Sequence, residues 1–315
     1  MPGSGGNVPV LVQMALVVLL GPLVTGFIQK LKARLQSRQG ASVVQPYRDL
    51  AKLLRKGTVQ SDTGTAFYRA IPPLVLAAMM TAAAMVPILT LPAAGWMPLG
   101  DAIFLVGLLA LARFLTAIGA LDAGGAFGGM GASREMTLGP LVEPVLLLVV
   151  FSVAAAAGTT DLGQVAARRA TQAGLAWHAP DVLAFSAALV LLLAETGRIP
   201  VDNPDTHLEL TMIHEGMLLE HSGPGLACMA LATHTKQLVM MAVIGALFFP
   251  LGLATSLDPL PLAIALVAFL GKAVVLGLFL GLVESSYAKL RFFRVPQFLG
   301  IGFVCAFLGL ALRFL

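Results

Sequence analysis

Long apolar stretches alternate with shorter polar stretches along most of the chain. Each apolar stretch, coiled as a helix that rises ~1.5 Å per residue, is about long enough to cross ~30 Å of hydrocarbon. These stretches lie near residues 8–28, 70–91, 101–121, 137–157, 178–196, 224–253, 258–283 and 296–314. Because lipid offers no partner to a free backbone group, and the alternation of a membrane β-strand is missing, each stretch is expected to be a helix. The pattern predicts an all-α integral membrane protein of about eight transmembrane helices, with residues 1–315 forming a single membrane domain.

The first polar connection contains a candidate surface helix. The connections are expected at about residues 29–69, 122–136, 197–223 and 284–295. Within the first of them, leucines recur at helical spacing between basic residues over 46–56, which predicts an amphipathic helix in the first cytoplasmic loop. Such a helix either lies on anionic lipid or serves as a docking or gating element.

The second connection is rich in glycine. The segment Gly124–Met136 lacks the lysine and Ser/Thr ending of a phosphate-binding loop, so nucleotide binding is not expected. A flexible connection is sufficient to explain its composition.

Charge and composition add an orientation. The chain is 58% hydrophobic and 11% charged, more apolar than one soluble core requires. Nine of the twenty basic residues lie between the first two apolar stretches, and basic residues accumulate on the cytoplasmic side. We therefore expect a multi-pass protein of the inner (cytoplasmic) membrane with both termini outside. No basic residue precedes the first stretch, so we expect a retained anchor there.

The net charge of +4 follows from this inside bias, and a basic groove with stacking aromatic residues is missing, so no nucleic-acid partner is expected. The two cysteines, Cys228 and Cys305, both lie in predicted helices and do not form a set of thiolates for zinc or an iron–sulfur cluster. Any redox centre is therefore expected in another chain.

The segment from Glu195 to Ser222 concentrates ionisable residues, with six of the sixteen acidic residues and three of the five histidines. Glycine and prolines interrupt its first part, and a helix is expected again from Thr206. On that helix the histidines would form a narrow stripe at seven-residue spacing: His207, His214 and His221. Seven residues separate side chains by roughly 10 Å along a helix, too far for one shared ion, so no metal site is predicted.

A solvated turn is the simplest interpretation of this segment. However, its glutamates are interleaved with large apolar side chains, where carboxylates have raised and coupled pKa values and can pass protons. Proton handling or a tight protein interface is therefore favoured over a solvated turn.

Several ionisable residues lie inside apolar stretches, where an ionised group costs at least ~2.5 kcal/mol. Glu143, Lys236 and Lys272 are deep, and we expect them to form an internal polar file. Arg113 and Glu284 lie near predicted helix ends, where extension of the side chain toward the membrane surface is expected.

Two motifs resemble a known family. Glu195, Arg198, Pro200 and Asp202, in the pattern ExxRxPxD followed by Glu209–Leu210, resemble the central cytoplasmic loop of the eight-helix subunit of respiratory complex I, which forms the quinone chamber. The first connection resembles the same subunit through QxRxG and QxxxDxxKL, whose residues are Gln36, Arg38, Gly40, Gln45, Asp49, Lys52 and Leu53.

The residues in and around these motifs resemble one branch of that family. The runs DNPDTHLELTMIHEGMLLEHSG and QPYRDLAKLLRK are similar to the membrane subunit of formate hydrogenlyase and hydrogenase-4 complexes, the group 4 membrane-bound NiFe hydrogenases. The quinone-binding subunit of a complex I-type NADH:quinone oxidoreductase is the alternative. A free-standing secondary transporter is a rival from another class, although internal repeats are not evident. An anchor that only scaffolds the complex, with no ion movement, is also possible.

The resemblance implies a non-redox membrane anchor of an oxidoreductase complex. Its expected partners are hydrogenase small and large subunits, iron–sulfur electron-transfer subunits, antiporter-like membrane subunits and the lipid bilayer. The NiFe centre and the iron–sulfur clusters are expected in those partners, with no cofactor in this chain. Its role would be to couple electron transfer and hydrogen evolution to proton or sodium-ion translocation.

The resemblance, together with the charges that lie inside apolar stretches, indicates candidate site residues. The proton-path candidates are Glu143, Glu195, Asp202, Glu209, Glu215, Glu220, Lys236 and Lys272. Arg198 is expected to pair with the acidic cluster and orient it. The docking interface is expected to include Gln36, Arg38, Gln45, Arg48, Asp49, Lys52, His207 and His214.

Overall fold

The computed structural model describes residues 8–59, 64–90, 100–171, 177–202 and 212–315. In these ranges the regular elements are helical, and the β-pairing consists of two isolated bridges. The helices are α1 Val8–Leu35, α2 Gln45–Arg55, α3 Ala66–Met85, α4 Ala102–Asp122, α5 Ala126–Ala157, α6 Leu162–Thr171, α7 Ala179–Glu195, α8 His214–Leu218, α9 Gly223–Phe248, α10 Pro259–Ser286 and α11 Val295–Ala311, with a 3-10 turn at Phe292–Arg294 before the last.

Eight long helices correspond to the eight apolar stretches: α1, α3, α4, α5, α7, α9, α10 and α11. Seven of them are long and apolar enough to cross a membrane. The eighth, α7, has 17 residues, the lower limit of the ~17–25 that a crossing needs. The prediction of an all-α integral membrane protein of about eight helices is confirmed. The amphipathic surface helix expected at 46–56 is also confirmed, as α2.

The expected flexible connection over Gly124–Met136 is wrong, because α5 already begins at Ala126. Glycine permits close packing here. A Cβ on Gly128 would lie 2.6 Å from the Glu220 side chain, and one on Gly131 would lie 2.7 Å from the carbonyl oxygen of Ile213. The glycines therefore bring α5 against residues 213–220.

The single helix expected from Thr206 is wrong in the part that the structure describes. Helix α8 covers only His214–Leu218, and His221 follows in a turn closed by its N–H on the carbonyl oxygen of Leu218, 3.0 Å away. His214 and His221 therefore do not share one helical stripe. His207 and Glu209 lie outside the described residues.

Four connections meet at one end of the bundle, which we call the polar end. It comprises the described residues between α1 and α3, α4 and α5, α7 and α9, and α10 and α11. The Thr65 hydroxyl donates to the carboxylate of Asp122 across 2.7 Å, and the Leu290 N–H donates to the carbonyl oxygen of Pro200 across 2.9 Å. These bonds join the connections in two pairs, and the N–H of Val59, which donates to the Ser222 hydroxyl across 2.8 Å, joins the pairs to each other.

Helix α9 is the centre of the bundle and contacts α1, α2, α3, α6, α7 and α10. Its second half is buried almost all round, as a helix surrounded by others must be. In contrast, α10 exposes large apolar side chains such as Val267 and Val275, 70% and 64% exposed. Within the described chain this face has no protein cover, which suits contact with lipid or another membrane protein.

Helix α6 lies at the end of the bundle opposite the polar end, and the sequence pattern did not predict it. Its Arg169 lies 2.9 Å from the buried carboxylate of Asp181 on α7, and Arg313 contacts the same carboxylate. This ion-pair group fastens α6, α7 and the end of α11 together.

Candidate functional site

A cavity of about 650 Å³ lies inside the bundle near the polar end. One part of its wall is apolar, formed by Val75, Met79, Met217, Leu218 and Met229. The rest carries ionisable side chains from α1, α4, α5, α7, α8, α9, α10 and the turn after α7. The cavity therefore joins an apolar surface to a dense group of charges.

Arg113 on α4 is the centre of the first group of charges. Its Nε lies 3.0 Å from Oε1 of Glu135 and its Nη1 lies 2.9 Å from Oε1 of Glu143, both on α5. Its Nη2 contacts Oε1 of Glu195 at the end of α7. The planar guanidinium, with five N–H donors, can serve three carboxylates at once. We call Arg113, Glu135, Glu143 and Glu195 the Arg113 cluster.

Lys236 on α9 extends this cluster, because its Nζ lies 2.6 Å from Oε2 of Glu195. Of the internal file expected from Glu143, Lys236 and Lys272, the first two are connected, through Arg113 and Glu195, whereas Lys272 does not join them. The expected extension of Arg113 toward the membrane surface is wrong, since its side chain is only 5% exposed. Its three carboxylates compensate the cost of burying the charge.

Glu284 on α10 is the centre of a second group. Its carboxylate lies 2.9 Å from Nη1 of Arg198 and 3.3 Å from Nζ of Lys32. Arg198 also donates from Nη2 to Oε1 of Gln237, 2.6 Å away. The expected surface position of Glu284 is wrong, since its side chain is fully buried. Arg198 therefore orients a carboxylate, as expected, but that carboxylate is Glu284.

Asp202 fixes the turn that follows Arg198. Its Oδ2 accepts the N–H groups of Ile213 and His214 at 3.2 and 3.1 Å, and its Oδ1 lies 2.9 Å from Nζ of Lys289. Burial opposes ionisation of Asp202, but hydrogen bonds and positive charge from His214 and Lys289 outweigh it and hold its pKa well below the usual range. Asp202 is thus a fixed negative charge at the start of α8.

His214 lies between the first group and Asp202. Its Nε2 is 3.5 Å from Oε2 of Glu135, and its Nδ1 is 3.6 Å from Oδ2 of Asp202. Burial disfavours its charged form, but the two carboxylates outweigh burial and the opposing charge of Lys236, so the pKa of His214 is raised. The imidazole connects the Arg113 cluster to the 197–202 turn.

The remaining proton-path candidates lie in three places. Glu215 lines the cavity beside His214. The carboxylate of Glu220 accepts the N–H of Gly128 at 3.1 Å, at the start of α5. Lys272 lies apart from the Arg113 cluster, with its Nζ 2.7 Å from the carbonyl oxygen of Leu251 in the α9–α10 connection.

The described docking candidates lie at the polar end. Gln36 and Arg38 line the cavity. Arg48 and Lys52 are exposed on α2, and Asp49 accepts from Gln45 at 3.1 Å and from Lys52 at 3.3 Å.

Glu135 and Gln237 were not foreseen. Glu135 fell in the segment interpreted as a flexible connection, yet Glu135, Gly139 and Glu143 recur every four residues, the spacing of neighbours along one side of a helix. Gly139 leaves room for Arg113, because a Cβ there would lie 3.2 Å from the arginine Cδ. That spacing was the available signal for Glu135. No comparable signal in the sequence pointed to Gln237, because a lone amide in an apolar helix does not reveal its partner.

No group of three His, Cys, Asp or Glu side chains in the described ranges is arranged to hold a metal ion. Cys228 on α9 and Cys305 on α11 are free thiols.

Comparison with known proteins agrees with this architecture. The chain is 36% identical over 303 residues to hydrogenase-4 component C of Escherichia coli, covering 95% of this chain and 93% of that protein. It is also 36% identical over 304 residues to formate hydrogenlyase subunit 4 of E. coli, covering 95% and 96%.

A solved structure shares the fold. A chain of the membrane-bound sulfane sulfur reductase, an archaeal respiratory membrane complex, superposes with a TM-score of 0.83 at 20% identity, over 98% of this chain and 99% of that one. The family model described as NADH dehydrogenase matches residues 8–313. The chain therefore belongs to the NADH dehydrogenase family.

Proposed function

We propose that this chain is the membrane anchor and coupling subunit of a multisubunit NiFe hydrogenase complex of the formate hydrogenlyase type. It docks the soluble hydrogenase arm at its polar end and links electron transfer and hydrogen evolution to translocation of protons or sodium ions. The extent of its similarity to two components of hydrogenase systems supports this branch of the family.

The Arg113 cluster is the observation that carries the coupling role. Glu135 faces the cavity, whereas the Glu143 side chain is 38% exposed on the outside of α5. Both carboxylates contact the same guanidinium. A change of charge at the cavity therefore alters the proton affinity of a carboxylate at the bundle surface, where a neighbouring membrane subunit can receive the effect.

The arrangement also suggests where partners bind. Hydrogenase small and large subunits and iron–sulfur electron-transfer subunits would dock on the polar end, near α2 and the 197–222 segment. Antiporter-like membrane subunits and lipid would cover the apolar sides. The basic residues of the first connection support a polar end in the cytoplasm and both termini outside the inner membrane. The NiFe centre and the iron–sulfur clusters belong to those partners.

A second candidate function is quinone binding, as in a complex I-type enzyme. The apolar part of the 650 Å³ cavity favours it, since a cavity of this size with an apolar wall beside polar groups suits a small amphipathic molecule. In that case the purified complex should contain quinone and respond to quinone-site inhibitors.

The test is to tag the chain, extract its complex in mild detergent and identify what co-purifies while hydrogen evolution is assayed. Recovery of NiFe hydrogenase subunits with activity supports the hydrogenase branch, and recovery of quinone-reducing partners contradicts it.

The coupling role is tested in reconstituted vesicles with Glu143→Gln and Glu195→Gln. We expect both variants to retain hydrogen evolution and to lose most ion translocation. Asp258→Asn, an exposed position before α10, is the control and should translocate normally. Normal translocation in both glutamine variants would leave the chain a scaffold without a coupling role.

A further inference from the structure

His214 occupies the gap between two carboxylates that do not contact each other. Glu135 comes from α5 and Asp202 from the turn after α7, and the imidazole presents Nε2 to the first at 3.5 Å and Nδ1 to the second at 3.6 Å. The Asp202 carboxylate also holds the His214 main chain. Gly197 makes room for the ring, because a Cβ there would lie 2.9 Å from Nδ1. Ring and main chain are thus both oriented by the 197–202 turn.

Charged groups face His214 from each element packed around it. Glu135 of α5 lies at Nε2 and Asp202 at Nδ1, while Lys236 of α9 opposes the positive charge. Arg113 of α4 acts through Glu135, and Glu215 follows on α8 itself. Two further cations lie nearby: Arg134, which donates to the carbonyl oxygen of Met212, and Lys289, which pairs with Asp202.

His214 lies between two groups of charged side chains. On one side, Glu135 shares the Arg113 guanidinium with Glu143 and Glu195, and Glu195 also contacts Lys236. On the other side, Asp202 contacts Lys289. Because buried negative charge needs compensation, a proton on the His214 ring, or on one of the two carboxylates that face it, offsets negative charge there.

We propose that His214 exchanges a proton with Glu135 and thereby sets the charge of the Arg113 cluster. This inference rests on the proposed function, because it assigns one step of the same ion path to a residue first considered only for docking. Asp202 is the positioning residue in this step, since it accepts the main-chain N–H of His214 at 3.1 Å and places its negative charge 3.6 Å from Nδ1, which leaves Nε2 directed at Glu135.

The step is a balanced proton transfer. The N–H bond at Nε2 breaks, an O–H bond forms at Oε2 of Glu135, and the imidazolium becomes a neutral imidazole that keeps its Nδ1–H toward Asp202. Fewer ionised carboxylates then remain on Arg113, and Glu143 experiences a more positive neighbour. The step repeats once Glu135 passes its proton on, its O–H bond breaking, and Nε2 takes up a proton delivered as hydronium, which leaves water, through the cavity that both side chains line.

The distance between the His214 ring and Glu135 controls this transfer. The 3.5 Å between Nε2 and Oε2 exceeds the ~2.7–3.0 Å of a charge-assisted hydrogen bond, so the ring must approach Glu135 before the proton moves. His214 and Asp202 both belong to the segment proposed for docking. A bound partner that moves His214 toward or away from Glu135 would therefore favour or prevent the transfer.

The experiment uses the whole complex, purified through a tag on this chain and reconstituted into vesicles. His214→Ala should translocate several-fold fewer ions per hydrogen evolved than the wild type, a ratio that does not depend on how much hydrogen the variant evolves. Added imidazole should restore translocation, because the truncated side chain leaves space beside the cavity for a free ring. His214→Gln, which keeps a polar side chain but does not titrate, should translocate poorly at every pH.

His221→Gln is the matched control. His221 stacks on Tyr68 with ring centroids 4.8 Å apart, and its buried Nε2 has no hydrogen-bond partner in the described parts of the chain. Its replacement should leave the number of ions per hydrogen unchanged and should not respond to imidazole.

Each outcome is decisive. Rescue of His214→Ala by imidazole supports the relay. Normal translocation in either His214 variant overturns it, as does a defect in His214→Ala that imidazole leaves unchanged. If the complex with His214→Ala does not assemble, His214→Gln tests the relay instead: poor ion translocation at every pH supports it, and normal translocation overturns it. A block in Glu143→Gln with normal His214 variants removes only the relay, whereas normal translocation in Glu143→Gln and Glu195→Gln removes the proposed function.

Discussion

Nη1 of Arg113 lies 2.9 Å from Oε1 of Glu143, so a guanidinium 5% exposed holds a carboxylate 38% exposed. The contact joins the interior of the bundle to its surface. Two unit charges ~4 Å apart interact by about 4 kcal/mol at an effective dielectric constant of ~20. A proton gained or lost by Glu135 or Glu195, which contact the same guanidinium, is therefore felt at Glu143.

Removing Arg113 should destabilise the protein strongly. In Arg113→Met the carboxylates of Glu135 and Glu195 stay buried without their cation, and breaking such pairs costs about 3–5 kcal/mol. Unfolding in detergent measures the loss, and Arg291→Gln, an exposed position, should change it little. Wild-type stability of Arg113→Met would mean that these carboxylates are protonated.

Glu284→Gln should loosen the turn at Arg198. The substitution removes the negative charge that Arg198 and Lys32 share in a fully buried position, at a cost of about 3 kcal/mol. Limited proteolysis of the purified complex should then cut the 197–222 segment faster. Glu143→Gln is the comparison, because replacing this carboxylate, which is 38% exposed, should cost less stability. Equal protection in both variants would contradict the assigned role of Glu284.

Glu220→Ala should weaken the start of α5. Its carboxylate accepts the N–H of Gly128, and loss of a helix cap costs about 1 kcal/mol. The measurements are thermal stability and ions moved per hydrogen evolved. Normal stability would contradict the capping role, and lost translocation would support Glu220 as part of the proton path.

His221 should make the protein sensitive to acid. Burial lowers its pKa from 6.5 to about 4, so the unfolded chain takes up a proton that the folded chain excludes. Stability should fall as the pH drops below about 6.5 and reach its full loss below about 4, on the order of 2 kcal/mol.

His221→Phe keeps the stack on Tyr68 and should reduce this loss between pH 7 and pH 5 in thermal unfolding. His178→Gln, at a side chain 72% exposed, should keep the acid sensitivity of the wild type. An unchanged pH dependence in His221→Phe would assign the acid sensitivity to other groups.

Gly26→Ala should displace the first connection from α1. A Cβ on Gly26 would collide with the carbonyl oxygen of Val43, whereas a Cβ on Gly107 would meet nothing within 4 Å. We expect lower thermal stability and weaker retention of docked subunits in Gly26→Ala, and neither effect in Gly107→Ala. Equal behaviour of the two variants would show that residues 41–45 move freely relative to α1.

The sequence determined the helices because lipid permits only helices for long apolar stretches, and such stretches can be recognised without knowing their neighbours. Surface helix α2 could also be predicted from its own sequence, because its pattern of leucine and basic residues repeats every turn. Where glycines served close packing, as at the start of α5, local composition misled, because the partner that required them is Glu220.

Only the tertiary structure decided which charges meet. The ion pair of Arg113 and Glu195 spans 82 positions, and that of Arg198 and Glu284 spans 86. The sequence could show that each charge was costly in an apolar helix, and therefore that each needed a partner. The identity of that partner depends on how the helices cross and rotate, which packing of the whole bundle sets. For the same reason the seven-residue spacing of the histidines carried no information, and the position of His214 between two carboxylates emerged only from the fold.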